Sequence, residues 1–212
     1  MKKQDKVYDV IVVGGGPAGM MAAIQAAKLE RSVLLIEKNN SLGKKLLITG
    51  SGRCNVTNTA HLNDFTKRFG KHGAFLRSAF SSFSNMDLMD FFKSKGLDLK
   101  IEDSGRVFPV TDDSKSILNV LKEFLKENNV KIMYNASLAG VKKTSGGFRL
   151  NLNLKNDEVS MNTKKVVLAT GGASYRATGS AGDGFVIAEK LGHKITPLKP
   201  GSETPNCVNI TS

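Results

Sequence analysis

Gly14-Gly15-Gly16-Pro17-Ala18-Gly19 and an acid further on, Glu37, have the types and spacing needed to hold a dinucleotide. In a G-x-G-x-x-G run each glycine has a mechanical task. Gly14 permits the tight turn, Gly16 removes the Cβ that would block a pyrophosphate, and Gly19 lets a helix pack close to a strand. A helix opening at Pro17 and Ala18 turns free N–H groups and a partial positive charge toward the phosphates. Glu37, about 20 positions on, is placed to accept hydrogen bonds from the adenosine ribose, and its charge disfavours the 2′-phosphate of NADP at this position.

This chemistry requires a strand before the turn and a helix and strand after it. Val7 to Val13 is a short apolar run of strand type, Pro17 to about Leu29 is rich in helix formers, and Ser32 to Glu37 reads as a second strand. The order is that of a βαβ unit. Ser41 to Asn58 reads as a Gly-, Ser- and Asn-rich loop, and Phe75 to Lys95 as one helix. Leu97 to Val110 reads as two strands around Ser104-Gly105, and Ser114 to Asn128 as a helix capped by Asp113 or Ser114. Val130 to Asn135 is a strand. Ser137 to Met161 alternates as an antiparallel meander turning at Ser145-Gly146-Gly147. A separate buried strand, Lys165 to Ala169, leads into Thr170-Gly171-Gly172, and Asp183 to Leu191 is the last helix, with Asp183 as its cap. The reading is therefore an α/β Rossmann-like domain over residues 1–200 with a small antiparallel meander, followed by an irregular polar tail at 201–212.

Composition narrows the function. Of 212 residues, 40% are apolar and 24% charged, ordinary values for a globular chain. No run approaches the roughly 18 apolar residues a spanning helix needs, and the N-terminal apolar run breaks into glycines after Val13, too early for a signal-peptide core. A cytoplasmic protein without a membrane span is the expectation. Cys54 and Cys207 are the only cysteines and share no short spacing, so neither a disulfide framework nor dithiol chemistry is expected. His61, His72 and His193 are scattered, and no metal site is expected. The formal charge of +12 favours anionic partners in general, but the lysines are spread along the chain and no RNA-binding motif accompanies them. A solvated basic surface is the plainer reading, and nucleic acid is not the expected partner.

The meander followed by a strand and Thr170-Gly171-Gly172 resembles the two-dinucleotide-fold flavoproteins, in which an N-terminal GGGPAG turn holds the FAD pyrophosphate and a later ATGG turn passes near the same cofactor. The resemblance is closer still to one group among them. Lys44-Lys45-Leu46-Leu47-Ile48-Thr49-Gly50-Ser51-Gly52-Arg53-Cys54-Asn55-Val56-Thr57-Asn58 looks like its signature loop. Gly105-Arg106-Val107-Phe108-Pro109, Ala169 to Ser174 and Thr178 to Gly184 match its other blocks. This is the bacterial NAD(P)/FAD-dependent oxidoreductase family that includes aminoacetone oxidases and proposed bile-acid dehydroxylation reductases.

The resemblance, which runs from about Tyr8 to Pro200, implies a flavoprotein oxidoreductase that passes hydride between FAD and a small organic substrate, with NAD(P)H as a possible electron donor. It implies that Gly14, Gly15, Gly16, Pro17, Ala18 and Gly19 hold the pyrophosphate, with Glu37 and neighbouring Lys38 at the ribose. It places Gly43, Lys45, Gly52, Arg53, Cys54 and Asn55 near the isoalloxazine and phosphates, and Thr170, Gly171, Gly172 and Asp183 along the same groove. No catalytic residue is assigned. Arg53 and Lys45 would offset phosphate or reduced-flavin charge, Asn55 would bond the ring edge, and Cys54 reads as a packed small residue. For Arg53 the plainer alternative is a residue that only orders its loop.

Relatives of this kind continue past the equivalent of Pro200 into a substrate lobe and a closing strand. The expectation is a truncated or frame-shifted chain, or one piece of a split protein, completed by a complementary C-terminal segment. Two other functions compete: a non-catalytic module that contains FAD and binds nucleic acid, and an NAD-only dehydrogenase.

Overall fold

A computed structural model describes residues 6–70, 73–155 and 157–198. His72, Cys207 and the polar tail lie outside the described residues. The chain forms two compact units, one built from residues before 47 and after 120, the other from 47–120.

The first unit holds a six-stranded sheet in the order β6-β2-β1-β9-β8-β7. Its strands are β1 (Val7–Val13), β2 (Val33–Ile36), β6 (Lys131–Met133), β7 (Ser137–Thr144), β8 (Gly147–Asn153) and β9 (Glu158–Leu168). β6, β2, β1 and β9 run parallel, while β7, β8 and β9 form the antiparallel meander. All four residues of β2 are buried, as expected of a parallel strand covered on both faces. Helix α1 (Pro17–Lys28) connects β1 to β2 and buries Met20, Ala23 and Ile24. Tyr8, Ile11, Val13, Leu34, Ile36, Leu150 and Leu152 belong to one core beneath the sheet.

The separate strand expected over Lys165 to Ala169 is instead the second half of β9. That strand pairs with β8 over 158–163 and with β1 over 162–168. Asn162 to Lys164, between the two expected elements, are polar, but Thr163 is buried and its hydroxyl donates to the carbonyl of Tyr8 at 3.0 Å. A satisfied hydroxyl lets a polar residue continue the strand.

The second unit carries a three-stranded sheet, β3 (Thr57–Asn58), β5 (Arg106–Pro109) and β4 (Leu99–Ile101), in the order β3-β5-β4. The β4–β5 hairpin turns at Ser104-Gly105 as the sequence suggests. The single helix expected from Phe75 to Lys95 is two, α3 (Gly73–Ser82) and α4 (Asn85–Lys93). Ser84 breaks it with a capping box. Its Oγ accepts from the Asp87 N–H at 3.2 Å, and Asp87 accepts from the Ser84 N–H at 2.7 Å. A short helix, α2 (Leu62–Lys67), precedes them where no element was expected. The loop expected over Ser41 to Asn58 contains a 3₁₀ segment, Leu46–Gly52, kinked at Thr49, Gly50 and Ser51.

Helix α5 (Ser114–Glu127) starts where expected, with Asp113 accepting from the Lys115 N–H at 2.8 Å. The last helix, α6 (Asp183–Lys190), belongs to the first unit. No helix among the described residues is long and apolar enough to cross a membrane.

Candidate functional site

The C-terminal ends of three parallel strands meet at one edge of the first unit. Val13 is in register with Ile36 on one side and Leu168 on the other, so the chain leaves β1, β2 and β9 side by side. β1 connects forward to β2 on one flank while β9 lies on the opposite flank. That is a switch point in strand order, where open α/β sheets bind ligands. The Gly14 N–H donates to the Ile36 carbonyl and the Ala169 N–H to the Val13 carbonyl, both at 2.8 Å, which locks the three exits together.

The glycine turn fills this edge with backbone. Gly14 has φ +112°, and a Cβ there would lie 2.2 Å from the Ala169 carbonyl oxygen. A Cβ on Gly19 would lie 1.8 Å from the Gly14 oxygen, so α1 packs against its own turn more closely than any side chain allows. Gly16 differs: it is the N-cap of α1, and a Cβ there would meet nothing within 4 Å. The crowded glycines bring turn, helix and strand together, and the open one faces free space in front of the first helical N–H groups. Pro17 takes the first helical position, where its missing N–H costs nothing. The N–H groups of Ala18 and Gly19 belong to the first turn, which has no intrahelical acceptors to offer them.

Glu37 is only 7% exposed. Its Oε2 accepts from the Gly15 N–H at 2.7 Å, and its Oε1 accepts from the backbone and side-chain nitrogens of Asn39 at 2.8 and 2.7 Å. The expected ribose acid is thus tied to the glycine turn. Gly43 joins the same cluster by donating its N–H to the Gly15 carbonyl at 2.9 Å.

Around it, Lys38 pairs with Asp183 at 2.6 Å, and Lys45 donates to Ser174 Oγ at 3.2 Å with its ammonium 5.8 Å from the Tyr175 ring centroid. The expected cap at Asp183 is corrected. Gly182 is the N-cap, no side chain caps α6, and the Asp183 carboxylate turns to Lys38 instead. Among the described residues here, Asn39, Ser174 and Tyr175 carry contacts that sequence reasoning missed. Tyr175 is a non-glycine residue in the left-handed region, at φ +55°. No spacing rule marks any of the three.

Thr170, Gly171 and Gly172 follow β9 directly. Gly171 has φ +74°, and a Cβ on it would lie 2.9 Å from Ser180 Oγ; Gly172 is open and its carbonyl accepts from the Gly182 N–H at 3.2 Å. Thr170 Oγ1 lies where a Cβ on Gly184 would fall, at 2.1 Å, which holds α6 close.

Gly52, Arg53, Cys54 and Asn55 lie in the second unit. Arg53 bonds Glu102 at 2.8 Å and Asp112 at 3.3 Å, and its guanidinium stacks 4.1 Å from the Phe108 centroid. Hydrogen bonding to Arg53 holds Glu102 below the usual carboxylate range, hydrogen bonding to Lys100 does the same for Asp112, and Glu102 in turn raises the Arg53 guanidinium. The role of Arg53 in ordering its loop is therefore visible. The Asn55 amide, with its nitrogen toward the carbonyls of Thr57 and Val107 (2.9 and 3.2 Å), pins the start of β3. Cys54 is 6% exposed at φ +64°, and burial pushes its thiol up, away from the reactive thiolate. Gly52 has φ +87° and open space around it.

The chain matches the protein family described as HI0933-like protein Rossmann domain over residues 8–210, a span that takes in both compact units. It is 33% identical over 191 residues to the 3-dehydro-bile acid delta(4,6)-reductase of Clostridium scindens, covering 89% of this chain and 45% of that protein. It is 31% identical over 199 residues to the ribosomal RNA dihydrouridine synthase of Escherichia coli, covering 92% and 47%. The chain thus spans about half the length of these curated relatives. Among solved structures it resembles the open conformation of a flavocytochrome c3 fumarate reductase, with TM-score 0.68 and 22% identity over 89% of this chain and 41% of that one. It also resembles a 3-ketosteroid-delta4-(5alpha)-dehydrogenase from Rhodococcus jostii, with TM-score 0.63 and 16% identity over 82% and 48%. At these identities the two structures establish the fold alone.

The comparisons support FAD as the cofactor, and the residues fit it. The open Cβ position of Gly16 in front of the α1 N-terminus is the cradle a pyrophosphate needs, and Glu37 stands at the end of the adjacent strand.

Proposed function

Because the chain belongs to the HI0933-like Rossmann domain family of FAD-binding proteins, we propose that it is the cofactor-holding portion of a flavin-dependent oxidoreductase. The observation that carries this reading is the contrast within the glycine turn, where Gly14 and Gly19 are closed by backbone and Gly16 alone faces open space before a helix N-terminus. In this reading the N–H groups of Ala18 and Gly19 and the α1 dipole hold the pyrophosphate, and Glu37 takes the adenosine ribose. Lys38, Gly43, Lys45, Thr170, Gly171, Gly172 and Asp183 border the groove. FAD, when bound, supplies a donor and acceptor of hydride; the protein positions it and screens it from water. NAD(P)H is the proposed electron donor and the cytoplasm the proposed location.

The substrate class follows from the relatives. One is named for reducing delta(4,6) bonds of a 3-dehydro bile acid and another for making dihydrouridine. Both names describe hydrogen added across a C=C bond conjugated with a carbonyl. We infer an electron-poor alkene as the substrate. The charge of +12, together with a relative that acts on ribosomal RNA, favours a second reading in which the alkene is a base within RNA. Anaerobic mixing of the photoreduced, FAD-loaded chain with a conjugated enone tests the class. Flavin reoxidation faster than that of free reduced FAD supports it, and equal rates with the enone and its saturated ketone contradict it.

We further propose that a complementary segment covers part of the second unit. At about 100° per residue, Gly73, Phe80, Leu76, Phe83, Ala79 and Phe75 share one arc of α3 and its last turn, about 160° wide. One edge of that arc is closed by α2. A Cβ on Gly73 would lie 1.9 Å from the Thr66 oxygen, and the Phe80 ring sits 5.0 Å from that of Phe65. At the other edge Phe75 is 87% exposed. So short a helix is marginal in water without a buried face.

A further inference from the structure

Asn39 uses every polar group it has. Its N–H donates to Glu37 Oε1 at 2.8 Å, and its carbonyl accepts from the Asn135 N–H at 3.0 Å. Its Nδ2 donates to Glu37 Oε1 at 2.7 Å and to the Thr178 carbonyl at 3.3 Å, while its Oδ1 accepts from Lys44 Nζ at 3.1 Å. The amide has one orientation only, because both neighbours of its nitrogen are acceptors and the neighbour of its oxygen is an ammonium.

The effect falls on the Glu37 carboxylate. A carboxylate offers about four acceptor positions, two on each oxygen. Asn39 fills both on Oε1, and the Gly15 N–H fills one on Oε2. One position remains, on the oxygen beside the glycine turn. We propose that Asn39 is a positioning residue for the adenosine ribose: it saturates Oε1, holds the carboxylate in one rotation, and leaves Oε2 to take a single ribose hydroxyl. The same amide also ties the ribose acid to the segment leading into α6, through Thr178. This inference rests on the reading of Glu37 as the ribose acid.

Calorimetric titration of the full chain with ADP, 2′-deoxy-ADP and 3′-deoxy-ADP tests it, using wild type, Asn39→Ala and the isosteric Asn39→Asp, with melting curves to confirm folding. In wild type one of the two deoxy analogues should bind at least about tenfold more weakly than ADP, as expected for one lost hydrogen bond to a charged group. In both variants that ratio should fall below about threefold, because losing the Nδ2 bond opens a second acceptor position, on Oε1, so that the carboxylate no longer offers a single position to a single hydroxyl. A general loss of structure would weaken all three nucleotides alike and leave the ratio unchanged. Variants that discriminate as wild type does overturn the role of Asn39 while leaving Glu37 as the ribose acid. A wild type that discriminates against neither analogue overturns the ribose reading itself, and the inference with it.

Discussion

The two compact units place their polar chemistry differently. In the first, strand ends, a glycine turn and a buried carboxylate converge on one edge, and the backbone there is packed so closely that side chains are excluded at Gly14 and Gly19 but not at Gly16. In the second, the charges close on one another. Arg53, Lys100, Glu102 and Asp112 form one ion-pair network over Phe108, while the apolar side of α3 stays open at Phe75. A site for an anionic ligand keeps N–H groups unspent and leaves space before them; a network that orders a loop does the opposite.

The sharpest way to break this contrast is at Gly19. With its Cβ position 1.8 Å from a backbone oxygen, Gly19→Ala must move α1 off the turn. A loss of about 3 kcal/mol or more in denaturant unfolding is expected, from backbone displacement in a packed site, together with loss of FAD binding. A loss below about 1 kcal/mol would mean that the close helix–turn contact does not hold the fold. Leu35→Ala, at a fully buried position of β2, should cost about 2–5 kcal/mol through cavity formation.

Arg53→Ala sharpens the other side. Glu102 and Asp112 are held below their ordinary values when folded, so their contribution is present above the unfolded carboxylate values of about 4 and is lost as pH falls through the lower folded ones. Removing Arg53 lets Glu102 protonate at higher pH. Acid unfolding of the variant should begin at higher pH than in wild type, and the stability gap between the two should close at the acid end. A gap that persists unchanged at pH 2 would assign the Arg53 effect to its stacking on Phe108 instead. The smallest effect belongs to Phe75→Ser, which should change the stability of this chain by less than about 0.5 kcal/mol, as for exposed positions. A larger loss in thermal melts would show that the face is already covered.

Much of the first unit was legible because its signals are local. The βαβ order, the glycine spacing and Glu37 lie within one stretch, and each glycine's task is set by backbone sterics that a sequence states directly. The meander was legible from alternation, but not the continuity of β9, because the bond that lets Thr163 stay in the strand reaches Tyr8 far away in sequence. The break at Ser84 is written as Ser84-x-x-Asp87, but a strong apolar pattern runs across it and masks the cap. Arg53 and Asp183 show the harder limit. Their residue types suit a cofactor, yet their partners, Glu102 and Lys38, are distant in sequence and only the fold discloses them. Asn39 lies two residues after Glu37, but nothing in its type announces that it fills one carboxylate oxygen.

If the open side of Gly16 receives the FAD pyrophosphate, a branched side chain placed there by Gly16→Val should keep the cofactor out. A side chain there meets no protein atom within 4 Å, and its extended backbone, φ −77° and ψ 177°, accepts valine. The measurement is the visible absorption spectrum of each protein after incubation with FAD and gel filtration, with melting curves alongside. Flavin bands should co-elute with wild type and be lost from a variant that still folds. A folded Gly16→Val protein that retains flavin as wild type does would contradict the claim.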